Sequence, residues 1–494
     1  MSHPLSWLAA LGCQRPEGDG SDRPEPALTV TVAPGRLAND LELGVVTSEA
    51  APVAALCTGE DDPTERHLVE STAAATSHAL RFQGLRPDTT YTCAVAATDP
   101  AGRATEITAS TGPSPEFPVL ATEVDPQLGA TGHYTLLSYM DGACTYGERW
   151  LLLYDAAGAV RWWYALPDTL WIDVEALYDP TDRTVVWGGG DSTSGRARIV
   201  DLWAGDTYVS DFAGWDTLVY SHDAKRRPDG QLLTLDYRET TDGVETWLGF
   251  GMKLHDPVTR TVSWDLSSQR YFDEGWLPSG GGADDPYHAN WFEYVTDPTL
   301  GDRLYLSLCT DQSLMSFDVA TGDVRWKLGR GLGWTVVDAE GQPLSEDELP
   351  QCQHGNEVLA PDLLLVYDNG QQRSESRIER WRIDPQAHVA TREWLWTEPG
   401  WHEGTLGDVD LLANGRLLVT QAHPECWSES PGDLSEVVEV DPATGQVAGR
   451  MAFPDVRDTL YRAERYDGCA MLSSLAACPA LAQRAEDLAP LVGW

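Results

Sequence analysis

The 494-residue chain is long enough for two or three domains around a large buried core. Asp and Glu number 77 against 34 Lys and Arg, a net charge of −43 that repels nucleic acid and anionic membrane surfaces and obliges any anionic ligand to find a local cationic pocket. Twenty tryptophans, 45 glycines and 31 prolines suit many short strands joined by turns, with large rings between packed sheets.

The first predicted element, residues 1–26, is a leader and linker. Leu8-Ala9-Ala10-Leu11-Gly12-Cys13 closes a short apolar run and resembles the lipobox of bacterial lipoproteins, in which the cysteine carries the lipid. No Lys or Arg precedes the run. Membrane attachment would come only through Cys13, and Gln14 to Pro26 would be a flexible tether. The other eight cysteines form an even set without CxxC spacing, which points to disulfides in an oxidising compartment, secreted or in the cell envelope.

Residues 27–115 read as a small β-sandwich. Val53, Ala55 and Cys57 alternate on one strand, and Tyr91, Cys93 and Val95 on another. The stretch Gly84-Leu85-Arg86-Pro87-Asp88-Thr89-Thr90-Tyr91 resembles the entry to a late strand of a fibronectin type III module. A Cys57–Cys93 bridge across two sheets is expected. No chemistry is visible here, so a supporting role is expected.

From residue 116 to 494 a unit repeats. Its clearest copy is Leu314-Met315-Ser316-Phe317-Asp318 followed by Thr321-Gly322-Asp323-Val324-Arg325-Trp326, a strand, a tight turn and a strand bearing tryptophan. Further copies centre on Asp155, Asp256, Asp384, Asp441 and, more weakly, Asp201. With Asp229-Gly230 and Asn414-Gly415 opening additional strands, each unit holds about four strands over roughly 40–65 residues, the period of a propeller blade. The expected fold is therefore all-β: a six-bladed β-propeller after a small β-sandwich. A solenoid is the alternative, disfavoured by antiparallel turn chemistry throughout.

Three histidines open successive units: His222, His288 and His354, with both intervals 66 residues. Equivalent positions in successive blades share one radius and height, so these side chains are expected to converge on a central channel. His288 and His354 each lead a His-x-Asn, giving Asn290 and Asn356. His423 ends an inner strand of the last unit, and Arg377, with Arg373 as competitor, begins a strand of the fifth. Tyr287, Trp291 and Trp401 are candidates for stacking on an aromatic ligand, or for packing between blades.

Gln353-His354-Gly355-Asn356, then Leu365-Val366-Tyr367-Asp368-Asn369-Gly370 and Ser376-Arg377, with Tyr461-Arg462-Ala463 near the end, resemble the bacterial arylsulfate sulfotransferases over about 120–494. That resemblance implies sulfuryl transfer from a phenolic sulfate to a phenol through a sulfohistidine, without a cofactor. By position it makes His423 the nucleophile and His222, His354 and Arg377 its catalytic partners. Asn356, Asn290, His288, Tyr287 and Trp291 would then bind substrate. Bridges at Cys352 and Cys426 would pin channel loops, with Cys309 and Cys144 as possible partners, and Cys469–Cys478 would close a small loop. Two other readings stay open. One is a non-catalytic surface propeller that binds a ligand or protein. The other is a metal enzyme using the three histidines, although no carboxylate shares their phase and only Asp223 and Asp285 lie near; no metal ligand is assigned.

Overall fold

A computed structural model of the chain describes residues 27–99, 102, 104–125, 133–140, 148–166, 176–180, 182–190, 195–209, 220–298, 301–422 and 434–492. The leader, Cys13, Cys144, His423 and Cys426 lie outside the described residues. No helix among the described residues is long and apolar enough to cross a membrane.

The N-terminal unit has five strands: Leu28–Pro34, Leu41–Gly59, Arg66–Phe82, Thr90–Ala97 and Thr105–Ser110, all joined in one hydrogen-bonded network. The 19-residue second strand organises it. Its first half pairs with Leu28–Pro34 and its second with Thr90–Ala97, while Arg66–Phe82 runs along both halves. Leu41, Leu43 and Val45 from one half and Val53, Ala55 and Cys57 from the other enter a single core with Tyr91, Cys93 and Val95. The Cys57–Cys93 disulfide is present. It joins directly opposed residues of neighbouring strands rather than spanning two sheets, because both strands belong to the same network.

Six further sheets follow in chain order. The first comprises His133–Met140, Arg149–Asp155 and Val160–Ala165. Its inner edge is closed by the distant strand Thr459–Asp467, antiparallel to His133–Met140. The second to fourth sheets begin at Ala176–Asp179, Tyr220–Arg226 and Ala289–Val295 and have four strands each. The fifth begins at His354–Ala360 and adds Thr335–Asp338 in parallel at its far edge. The sixth begins at Asp408–Leu411 and takes Ala121–Val124 as its outermost strand. First strands of consecutive sheets touch from the third sheet through the sixth, the sixth meets Thr459–Asp467 of the first, and that strand meets Ala176–Asp179.

Each sequence repeat is the outer hairpin of a different sheet, and its aspartate builds the turn. Asp155, Asp256 and Asp318 accept two backbone N–H bonds each from the residues that follow, at 2.8–3.2 Å. Asp201 accepts two in the same way, Asp384 accepts from the Ala387 amide and Asp441 from the Ala443 amide. A short carboxylate satisfies turn amides that no ladder reaches, which is why this position keeps the residue type when others vary.

The repeat tryptophans latch neighbouring sheets. Trp162 Nε1 donates to Leu202 O (3.1 Å), Trp326 Nε1 to Asp362 Oδ1 (2.8 Å) and Trp394 Nε1 to Pro442 O (3.0 Å), each in the next sheet. Between the third and fourth sheets the short helix Ser268–Asp273 replaces this latch: Tyr271 donates to Gly322 O and Arg270 to Thr321 O.

After Asp467 the chain leaves the strands. A helix at Pro479–Val492 lays Ala485 and Leu488 against Ala54, Leu56 and Leu68 of the N-terminal unit. Arg161 of the first sheet makes a buried ion pair with Glu65 at 2.6 Å. The two parts are thus joined by an apolar patch and a buried charge pair. Disulfides Cys309–Cys352 and Cys469–Cys478, both expected as possibilities, are present with Cys57–Cys93. The three disulfides among the described residues point to an oxidising, extracytoplasmic setting.

Candidate active site

Three inner strands bring His222, His288 and His354 together. The His222 and His288 rings meet edge to face, centroids 4.9 Å apart. The strand of His354 packs on that of His288, and Asn290 donates to Gln353 O between them (2.9 Å). The backbone is left-handed at His222 (φ 53°), at His288 (φ 47°) and at Cys352 just before His354 (φ 51°). Strand pairing slips beside each histidine. Non-glycine residues hold such angles only where their surroundings over-determine them, a pattern of functional sites. The Cys309–Cys352 disulfide supplies part of that constraint at His354.

Hydrogen bonds orient two of the imidazoles. His354 Nδ1 faces Asn369 Oδ1 (2.8 Å) and Cys352 O (3.1 Å), both acceptors, so Nδ1 carries the proton and Nε2 the lone pair. Asn369 cannot turn over, because its Nδ2 donates to Glu403 O and Leu406 O, both at 2.8 Å. Ser376 Oγ ties the same loop by donating to Asn369 O (3.0 Å). His288 Nδ1 meets Asp285 Oδ2 at 2.8 Å. Burial, with the neighbouring imidazoles, pushes His354 down to about 4 despite its Asn369 bond. Burial likewise pushes His222 well below its ordinary value, with help from His288. These two rings are neutral at physiological pH.

Other expected site residues sit differently. Asn290 donates to Gln353 O (2.9 Å), linking the His288 and His354 strands. Tyr287 is a core residue whose hydroxyl donates to Pro278 O and accepts from Trp247. Trp291 is 1% exposed between the fourth and fifth sheets. Arg377 begins the third strand of the fifth sheet, and its contacts are carboxylates, Glu375 at 2.6 Å and Glu348 at 2.8 Å. Of His423, only its neighbour Ala422 is described, packed against Met140, Leu406 and Tyr461.

Sequence reasoning missed the cation beside this cluster. Arg462, buried on the closing strand Thr459–Asp467, donates to Asn290 O (2.8 Å) and lies 3.6 Å from Asp223. Its neighbour Tyr461 lies 6.4 Å from His222, ring to ring. The signal was the Tyr461-Arg462-Ala463 stretch, quoted above without a role. Also missed was a second layer on the same strands. A cavity of about 270 Å³ is lined by Lys225, Glu293, Glu357, Asp408, Asp410 and Glu464, together with Asn356 and Trp291.

A family model for arylsulfotransferase (ASST) matches residues 129–462. No curated protein is significantly similar in sequence. Among solved structures, a nidogen/laminin complex chain is 13% identical, covering 70% of this chain and all of that one, with a TM-score of 0.35. Puromycin hydrolase is 14% identical over 88% of this chain and 55% of that one, TM-score 0.32. Hydrazine synthase of Kuenenia stuttgartiensis is 11% identical over 80% and 94%, TM-score 0.33. The match of the family model across most of the six sheets, histidine cluster included, makes this chain a member of the arylsulfotransferase (ASST) family.

Proposed function

We propose that the protein moves a sulfuryl group from a phenolic sulfate ester to a phenolic acceptor through a sulfohistidine. In this reading the six sheets are blades of one closed propeller, residues 116–494, and the N-terminal unit, 27–115, is a fibronectin-like support. The observation that carries it is the meeting of His222, His288 and His354, from three sheets, with two of the rings held neutral by burial.

His423 Nε2 or Nδ1 attacks sulfur, the sulfur–aryloxy bond breaks, and the phenolate departs with the electron pair and takes a proton. The acceptor's phenolic oxygen then attacks sulfur, the nitrogen–sulfur bond breaks, and the imidazole recovers its pair while a neighbouring base takes the phenolic proton. Dividing the transfer lowers each barrier. His354, with Nε2 unprotonated, is the base for the acceptor. His222 and Arg462 stabilise charge on the sulfuryl oxygens, fixed donors being worth most where water is excluded. Arg462 takes the part first given to Arg377, whose guanidinium is occupied by Glu348 and Glu375.

The test is release of 4-nitrophenol from 4-nitrophenyl sulfate with and without phenol. Phenol-dependent release that His423→Ala abolishes supports the proposal. Release independent of phenol, or none at all, counts against it.

A further inference from the structure

On the histidine strands and on the neighbouring strands Asp408–Leu411 and Thr459–Asp467 lies a layer of acidic charge that the transfer reaction does not use. Asp223, Glu293, Glu357, Asp408, Asp410 and Glu464 come from five of the sheets. Against those that line the cavity stand Lys225, which pairs with Glu293 at 2.9 Å, and Arg226 and Arg227, which pair with Asp179 and Asp182 and with Asp229. Three cations, two of them paired outside the cavity, face five carboxylates in a partly buried site, where unbalanced charge is costly.

The geometry is that of a ligand set. Carboxylate oxygens of Asp408, Asp410 and Glu464 all lie within 4.8 Å of one another. Oxygens sharing a Ca²⁺ at about 2.3–2.6 Å span up to about 5 Å. Asp408 packs directly on the backbone of Gly355, which at φ 28° leaves no room for a Cβ there. Asp408 Oδ2 and Asp410 Oδ2 are buried and have no hydrogen-bond partner among the described residues.

A second group points to something in this cavity. Asn356 is 4% exposed and lines it. Its Oδ1 is fixed by the Tyr367 amide at 3.1 Å, so its amide cannot be reversed without losing that bond. Its buried Nδ2 has no acceptor among the described residues. A water held on a metal ion is an acceptor of the kind this donor lacks.

We propose that Asp408, Asp410 and Glu464 bind one hard divalent cation, Ca²⁺, with Asn356 donating to a water in its shell. Oxygen-only, carboxylate-rich ligands exclude softer metals, and the roomy irregular cavity suits Ca²⁺ better than octahedral Mg²⁺. The ion would cancel negative potential beneath the histidines, where an anionic sulfate ester would otherwise be repelled. Its binding does not depend on the sulfuryl-transfer reading.

The test uses the full chain freed of metal with EDTA and titrated with Tb³⁺ under tryptophan excitation, then with Ca²⁺. Trp291 lines the cavity and is the expected antenna. One saturable Tb³⁺ site displaced by Ca²⁺, together with a higher melting temperature in Ca²⁺, is the expected result. The double variant Asp410→Asn/Glu464→Gln should weaken binding roughly tenfold or more. Equal titrations of wild type and double variant would assign the ion to the acidic surface and overturn the proposal, as would the absence of a saturable site. If the double variant does not fold, Trp291→Phe decides. Loss of most sensitised emission with a retained Ca²⁺-induced melting shift supports the site, and unchanged emission overturns it.

Discussion

Asn369 decides which nitrogen of His354 is available. Removing its side chain frees the ring to change tautomer and leaves two backbone acceptors, Glu403 O and Leu406 O, without their donor. Asn369→Ala should therefore lower kcat by about 10²-fold with a smaller change in KM, read with 4-nitrophenyl sulfate and phenol. Because burial holds His354 near 4, its proton occupancy changes little above about pH 5. The wild-type kcat should lack an acid limb from this group between about pH 5 and 8, and a limb near the ordinary histidine value would contradict the assignment. The three histidines were legible because their spacing repeats. The strand start at Arg377 was legible, but not the carboxylates that take its guanidinium, since adjacency to Ser376 says nothing of what the side chain meets. The acids at 357, 410 and 464 were hidden among 77 acidic residues, although Lys225 and Glu357 each follow a phased histidine by three.

Among the elements, the repeat hairpins were readable from turn chemistry. The partners of the tryptophans were not, because each latch crosses to another sheet. Trp326→Phe keeps the ring's bulk and removes the bond to Asp362, leaving a half-buried carboxylate oxygen unpaired. It should cost about 1–2 kcal/mol, measured by urea denaturation. The Cys309–Cys352 bridge fixes the turn before His354. Cys309→Ser/Cys352→Ser should lose activity more than stability, with circular dichroism unchanged while turnover falls. The helix at Pro479–Val492 escaped notice although Leu481, Ala485 and Leu488 have helical spacing, because it follows a long series of strands.

Across the whole molecule, the strand Thr459–Asp467 closes the first sheet, and the Pro479–Val492 helix and the Arg161–Glu65 pair join the sheets to the N-terminal unit. Burial opposes ionisation of Glu65, but bonds from His67 and Arg161 outweigh it and hold the carboxyl well below its usual range. Its contribution is complete above the unfolded value of about 4.3 and falls away at lower pH. Arg161→Met leaves that carboxylate with His67 and Arg86 and should cost about 1.5–3 kcal/mol. Asp40 behaves oppositely: burial raises it to about 7, so the folded state holds its proton and this contribution is lost as pH rises from about 4 to 7. Asp40→Asn should raise the melting temperature at pH 8 more than at pH 5, and an equal shift at both would contradict this. The order of a small β unit before repeated sheets was legible from composition and turns. The docking of the C-terminus back onto the N-terminal unit was not, being a contact between the two ends of the chain.

In the proposed mechanism a histidine carries the sulfuryl group between donor and acceptor. Intact-protein and peptide mass spectrometry after brief exposure to 4-nitrophenyl sulfate, without phenol, tests it most directly. One added sulfuryl group is expected on the peptide containing His423, discharged when phenol is supplied. Steady turnover with no such adduct, or an adduct on another residue that phenol discharges at the turnover rate, would contradict it.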